Sequence, residues 1–118
     1  MANPLKGEVG FEVNGAAWTA SFSVNALVTL EDALGVSVTQ IGALMAESVS
    51  MKTLRTIFWA ALLDHHKVTE AEAGEVMTAF GIEAAAGLVG QAFSLAFPQE
   101  DAKATARPPK RAGRAGNG

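Results

Sequence analysis

The residues of this chain with the most chemical potential are His65 and His66, which stand beside Asp64. Imidazole and carboxylate together can ligate a metal or relay a proton, but adjacent side chains on a helix diverge by about 100°. Two neighbouring histidines therefore do not converge on one ion. The pair reads as a solvated helix end, where imidazoles meet the negative pole of the helix dipole. The run from Leu62 to Glu72 has a superficial likeness to a calcium loop entering its second helix. Such a loop needs oxygen ligands at alternating positions and a glycine at its sharp turn, whereas here His66 takes a ligand position and glycine is absent. Glu31 and Asp32 are a carboxylate pair whose side chains also diverge, one toward solvent and one along the core, so acid–base work would need a partner from another element. The sequence has no Gly-x-Ser-x-Gly elbow and no Gly-x-x-x-x-Gly-Lys-Ser/Thr loop. It has no cysteine either, which removes disulfides, thiolate nucleophiles and cysteine-ligated metals together. The expectation is a protein that is not an enzyme, with no catalytic residue, metal or cofactor.

The elements that position these residues are legible from periodicity. Val9, Phe11 and Val13 alternate with Glu8, Gly10 and Glu12, the period of a strand with one buried face. Asn14-Gly15 tolerates the positive φ values of a two-residue hairpin turn. Folding there places Val13 opposite Ala16, Phe11 opposite Trp18 and Val9 opposite Ala20, with Phe22 on the same side, and a slip of one residue would destroy that agreement. Ser23 caps a first helix reaching Leu34, with Leu27, Leu30 and Leu34 on one face and Gly35 as its stop. Ser37 to Gln40 has capping-box spacing and opens a second helix through Ile41, Leu44 and Met45. Ser50 caps a third, with a stripe of Leu54, Ile57, Phe58, Ala61 and Leu62. Thr69 to Glu72 is another capping box, opening a helix through Val76, Met77 and Phe80 to Gly81. A fifth helix runs from about Ile82 to Phe97 and ends before Pro98. The predicted fold class is mainly α with a small N-terminal β-hairpin (α+β): about five short helices in a compact bundle on the hairpin. Residues 1–98 form one domain, with the hairpin at 8–22 and the helices within 24–97.

At 118 residues and 49% hydrophobic the chain can bury one modest core and is not disordered as a whole. Its opening residues have no apolar stretch behind the charge, and the most apolar segment is broken by Gly87 and Gly90. The expectation is a soluble, cytoplasmic chain without a secretory leader or a membrane span. The net charge of -3 hides an asymmetry: five basic residues lie among residues 99–118, while ten carboxylates face four cations before that point. Residues 99–118 read as a basic tail, disordered when unbound. Phosphate contact through that tail would give sequence-blind binding, but no aromatic residue interleaves with the charges to stack on bases. A solvated tail, or an arm for an acidic protein partner, fits better than nucleic acid.

The fifth helix carries the functional reading. Glu83, Gly87, Gly90, Gln91 and Ser94 fall within roughly one third of its circumference, and the rest is apolar. An ordinary surface helix has a stripe only somewhat wider than about 100°. Either this helix is a central core element wrapped by the other four, or one side packs on the domain and another meets a second subunit or an apolar client. On the second alternative Leu88, Ala92, Phe93, Leu95 and Phe97 are candidate partner-binding residues, with Trp59 on the third helix serving as core or as an interface anchor.

The order of these segments resembles a known family. Gly7-Glu8-Val9 opening a hairpin, Leu30-Glu31-Asp32-Ala33-Leu34-Gly35-Val36-Ser37 joining the first two helices, the Thr69-Glu70-Ala71-Glu72 helix start and the Ala-rich fifth helix are together similar to the small tail proteins of gene transfer agents and related phages. That family is grouped with phage tail assembly chaperones. The resemblance covers roughly residues 5 to 97 and not the tail. It implies a chaperone that coats a long helical tape-measure protein and helps recruit tail-tube subunits in the host cytoplasm, and a homo-oligomer is compatible with that role. Some family members are labelled tail-tube proteins, so a structural subunit is the alternative. A nucleic-acid-associated factor acting through the basic tail is a third reading. Related chaperones are often made in two forms by ribosomal frameshifting. The resemblance brings no catalytic residues with it.

Overall fold

The computed structural model describes Asn3, residues 6–47 and residues 49–97. The N-terminal β1 (Val9–Val13) and β2 (Ala16–Ala20) pair antiparallel, with Val9 opposite Ala20, Phe11 opposite Trp18 and Val13 opposite Ala16. The hairpin register predicted from alternation is therefore the one observed. Its turn is made by Asn14 at φ 52° and Gly15 at φ 83°, the two positive values that matched strand twist demands. Val9, Val13, Ala20 and Phe22 are buried on the inner face, with Phe11 and Trp18 packed at its edge.

Five helices follow: α1 (Val24–Leu34), α2 (Val38–Glu47), α3 (Met51–Leu62), α4 (Glu70–Phe80) and α5 (Ile82–Ala96). Their starts are fixed by side chains. Ser23, Ser50 and Thr69 each accept a hydrogen bond from a backbone N–H of the first turn, and Thr69 with Glu72 closes a reciprocal capping box. Ser37 and Gln40 make the same exchange ahead of α2. Gly35 ends α1 in the left-handed conformation and returns its N–H to the Glu31 carbonyl. Glu31 also accepts the Val38 N–H at 2.7 Å, so it fastens the start of α2 to the end of α1 while Asp32 faces solvent. The mainly α architecture with an N-terminal hairpin is as expected. The proposed disorder of residues 99–118 concerns residues outside those described.

The central helix is α3. Leu54, Thr56, Ile57, Phe58, Ala60, Ala61 and Leu62 are buried, far more than one stripe, because α1, α4, α5 and β2 all lean on it. Thr56, polar and buried in this crowd, donates its hydroxyl to the Glu70 carboxylate at 2.6 Å, with the Lys52 carbonyl at 3.1 Å as a second acceptor. By contrast α5 buries only Ala85, Leu88, Val89 and Ala92. Of the two alternatives for the fifth helix, the wrapped central element is thus found at α3. The difference arises from side-chain size. Ala84, Ala86 and Ala96, in the apolar arc of the wheel but outside the buried set, count as apolar there and offer little surface to bury. No single helix among the described residues is long and apolar enough to cross a membrane.

Candidate partner-binding groove

One seam of the bundle is left open. On α2 only Ile41 is buried, and Leu44 is 39% exposed. Between α2 and α5 lies a groove of about 270 Å³ with Gly42, Met45, Ala46 and Val49 on one wall. Ala86, Val89, Gly90, Phe93 and Ser94 form the other, with Leu54 of α3 at the base. No charged residue lines it. A Cβ on Gly42 would come within 3.3 Å of the Phe93 ring, so the glycine lets α2 approach α5 at that end. Phe93 itself is held between Phe22, at a centroid distance of 5.7 Å, and Phe97, at 5.0 Å.

The glycines of α5 are used differently. A Cβ on Gly87 or Gly90 would meet nothing within 4 Å. Glycine inside a helix costs about 1 kcal/mol relative to alanine, and at these two positions no contact within the described fold uses the space that results. At Gly90, in the groove wall, the backbone is left uncovered, so that another helix could come close there.

The candidate partner-binding residues separate accordingly. Leu88 (6% exposed) and Ala92 (0%) belong to the core and present no surface, because their side of α5 faces the buried interior. Phe93 is half-buried and lines the groove; Leu95 is half-buried near Gly7, and Phe97 is exposed at the helix end. Ile82 is exposed at the other end. Trp59 is half-buried and donates its indole N–H to the Val68 carbonyl at 2.9 Å, so it anchors the α3–α4 connection. The α2 wall, with Gly42, Met45, Ala46 and Val49, was not anticipated. Its only sequence signal is two small residues, Gly42 and Ala46, four apart on one face of the helix.

A second depression lies on the α3–α4 side, with Met51, Arg55, Glu75, Met77 and Ile82 in its wall. Its lining is also largely apolar, but it carries two charged residues, Arg55 and Glu75. Arg55 crosses it close to Gly74, where a Cβ would stand 3.0 Å from the Arg55 Cδ, and its Nε lies 3.8 Å from the Glu70 carboxylate.

The histidines are placed otherwise than the sequence suggests. They do not form a merely solvated helix end, because the hairpin comes back over them. His66 accepts the Thr19 N–H at Nε2 (3.0 Å) and stacks 4.5 Å from Trp18, while His65 Nε2 lies 3.5 Å from the Glu8 carboxylate. Asp64 accepts from the Ser21 and Ser23 hydroxyls, and the Ser21 N–H reaches the Ala61 carbonyl at 2.8 Å. Because Nε2 accepts, His66 is neutral with its proton on Nδ1. Burial, and secondarily the neighbouring His65, hold its pKa below the ordinary 6.5. Among the described residues no group of three His, Asp or Glu is arranged to hold a metal ion.

The site geometry thus offers an apolar groove and a polar latch. No family model matches the chain, and neither a curated protein nor a solved structure matches it.

Proposed function

We propose that the chain is a morphogenesis factor for a phage-like or gene transfer agent tail. On this reading it is an assembly chaperone that acts by binding, shields apolar helices of a tape-measure protein and helps bring tail-tube subunits to it. The observation that carries this reading is the open apolar groove between α2 and α5, with the bare backbone of Gly90 in its wall. A groove between two helices that exposes apolar atoms and little bulk is the form in which one protein receives another's helix. The family resemblance over residues 5 to 97 supplies the biological setting.

Co-expression with a tape-measure protein of the proposed tail system tests the proposal. The client should become more soluble and should co-purify with the chain. Gly90→Leu, which fills the groove from a position with open space around it, should reduce both effects while leaving the fold intact by circular dichroism. A client equally soluble with and without the chain, and no complex, would sink the reading.

A structural tail subunit is the second reading, and one observation favours it. Thr19 and Ser21 direct their N–H groups outward from β2 to His66 and Ala61, so the inward pairs are Val9–Ala20, Phe11–Trp18 and Val13–Ala16. The main-chain groups of Gly10 and Glu12 therefore point off the outer edge of β1, where no hydrogen-bond partner is found among the described residues. A subunit that joined its neighbours through this edge would appear at stoichiometric copy number in electron micrographs of mature particles. A chaperone would be absent from them.

A further inference from the structure

The helices of this bundle are unequally held, and α2 is held least. We propose that α2 is a detachable lid: it lifts from the bundle as one unit while the hairpin, α1, α3, α4 and α5 stay folded, and it uncovers an apolar face made by Leu54, Val89 and Phe93. The inference goes beyond the binding role, because such a lid opens whatever the groove receives.

The residues of α2 give it little stability of its own. It has ten residues, and helices shorter than about 12–15 residues are marginal in isolation. Val38, Thr39, Ile41 and Gly42 are weak helix formers, and Glu47 meets the negative pole of the dipole in the last turn. Packing must therefore hold α2 in place, yet Ile41 is its one buried side chain, with Met45 half-buried beside it. By comparison α1 buries Ala26 and Leu30, and α4 buries Ala73 and Met77. While α1, α4, α5 and β2 all lean on α3, α2 makes no extended contact with any other element.

Polar contacts do not make up the difference. The Val38 N–H reaches the Glu31 carboxylate of α1, and the Ser37–Gln40 exchange stays within the cap of α2 itself. Among the described residues no hydrogen bond ties α2 to α3, α4, α5 or the hairpin. Opening α2 thus breaks one apolar anchor and one tether, whereas opening any other helix breaks into the shared core. Regions with few buried contacts open first, as separate cooperative units. Beneath α2 lie Leu54 of α3, 5% exposed, and Val89 of α5, 1% exposed, with Phe93 next to them. The closed lid keeps that face from water.

Native-state hydrogen exchange on the full chain, without any partner, tests the lid separately from the groove's binding role. After correction for intrinsic rates, Ala43, Leu44 and Met45 should exchange together, about a hundredfold faster than Phe58, Ala60 and Ala61 of α3. Thr69→Ala removes the α4 cap and lowers global stability, so it should speed the α3 amides about fivefold and leave those of α2 unchanged. Ile41→Ala should speed the α2 amides about thirtyfold, and the milder Ile41→Val about threefold, which keeps the measurement open if the alanine variant does not fold. Equal corrected rates in α2 and α3, or a Thr69→Ala effect shared by both, would overturn the proposal, because α2 would then open only with the whole bundle. Exchange in α2 indifferent to Ile41→Val and Ile41→Ala would overturn it too, since the helix would be fraying with its anchor still seated.

Discussion

Two seams hold this molecule together, and they are built on opposite principles. Where the hairpin meets α3, a large aromatic interface is locked by directional polar contacts. Phe11 packs on Phe58 and Phe80 at 5.9 and 4.8 Å, and the rim is closed by Thr19 to His66, Ser21 to Ala61 and Asp64 to two serines. Where α2 meets α5, no hydrogen bond crosses among the described residues, the contact surfaces are small, and a groove remains. A polar lock gives a seam one geometry, because each unmade hydrogen bond at a buried edge is costly. An apolar seam of small residues has no such preference and can admit a different partner at little expense. The division assigns permanence to the first seam and exchange to the second.

The largest expected effect lies at the locked seam. Phe58 is fully buried and joins α3 to the hairpin, so Phe58→Ala should cost about 3–5 kcal/mol, the range for removing a core aromatic. Denaturant unfolding measures it. A loss below about 1 kcal/mol would mean that the hairpin docks no more firmly than α2, and the contrast between the seams would be gone.

The open seam should answer with the opposite sign. Gly90→Ala adds a Cβ into free space and removes a helix-interior glycine, for a gain of about 0.5–1 kcal/mol. Gly42→Ala makes the same propensity change but drives a Cβ to 3.3 Å from Phe93, so it should be the less stable of the two variants by thermal unfolding. If Gly90→Ala is stabilised yet loses affinity for the client, then bare backbone at that position serves binding and not the fold. Equal stability for the two variants would show that Phe93 yields freely and that the groove wall is not fixed.

Most of the fold was legible because its signals are local. A dipeptide sets the hairpin turn and alternation sets its register, while Ser23, Ser50 and Thr69 mark helix starts through their own side chains. The site was legible only in part. The wheel of α5 pointed to Phe93, which lines the groove, and also credited Leu88 and Ala92 to a partner although the core takes them. A wheel shows how apolar a face is and not which neighbour covers it. The α2 wall depends on an angle between helices far apart in sequence, and nothing in residues 38–49 fixes that angle. For the same reason the histidines read as a helix end: the hairpin residues that meet them, Glu8, Trp18 and Thr19, lie more than forty positions earlier.

The smallest effect sharpens the comparison most, because only the locked seam contains a titrating bond. Thr19 donates to an unprotonated Nε2, so protonation of His66 removes that acceptor. The groups placed against it are Trp18 and Thr19 from β2 and, from its own turn, His65, which in turn reaches Glu8. The folded state lowers the pKa of His66, so the unfolded chain binds more protons below the ordinary 6.5. The contribution of His66 to stability is therefore complete above about pH 6.5 and is lost as pH falls through the lower folded value. Because the ring is only half-buried, the change should register locally: once the intrinsic pH dependence is removed, the Thr19 amide should lose protection from hydrogen exchange below that pH, while the amide of Gly90 keeps its own. His66→Gln retains an acceptor without titrating and should flatten the Thr19 profile. Equal acid sensitivity at Thr19 and Gly90 would mean that the two seams open together, and that the bundle does not separate a fixed joint from an exchangeable one.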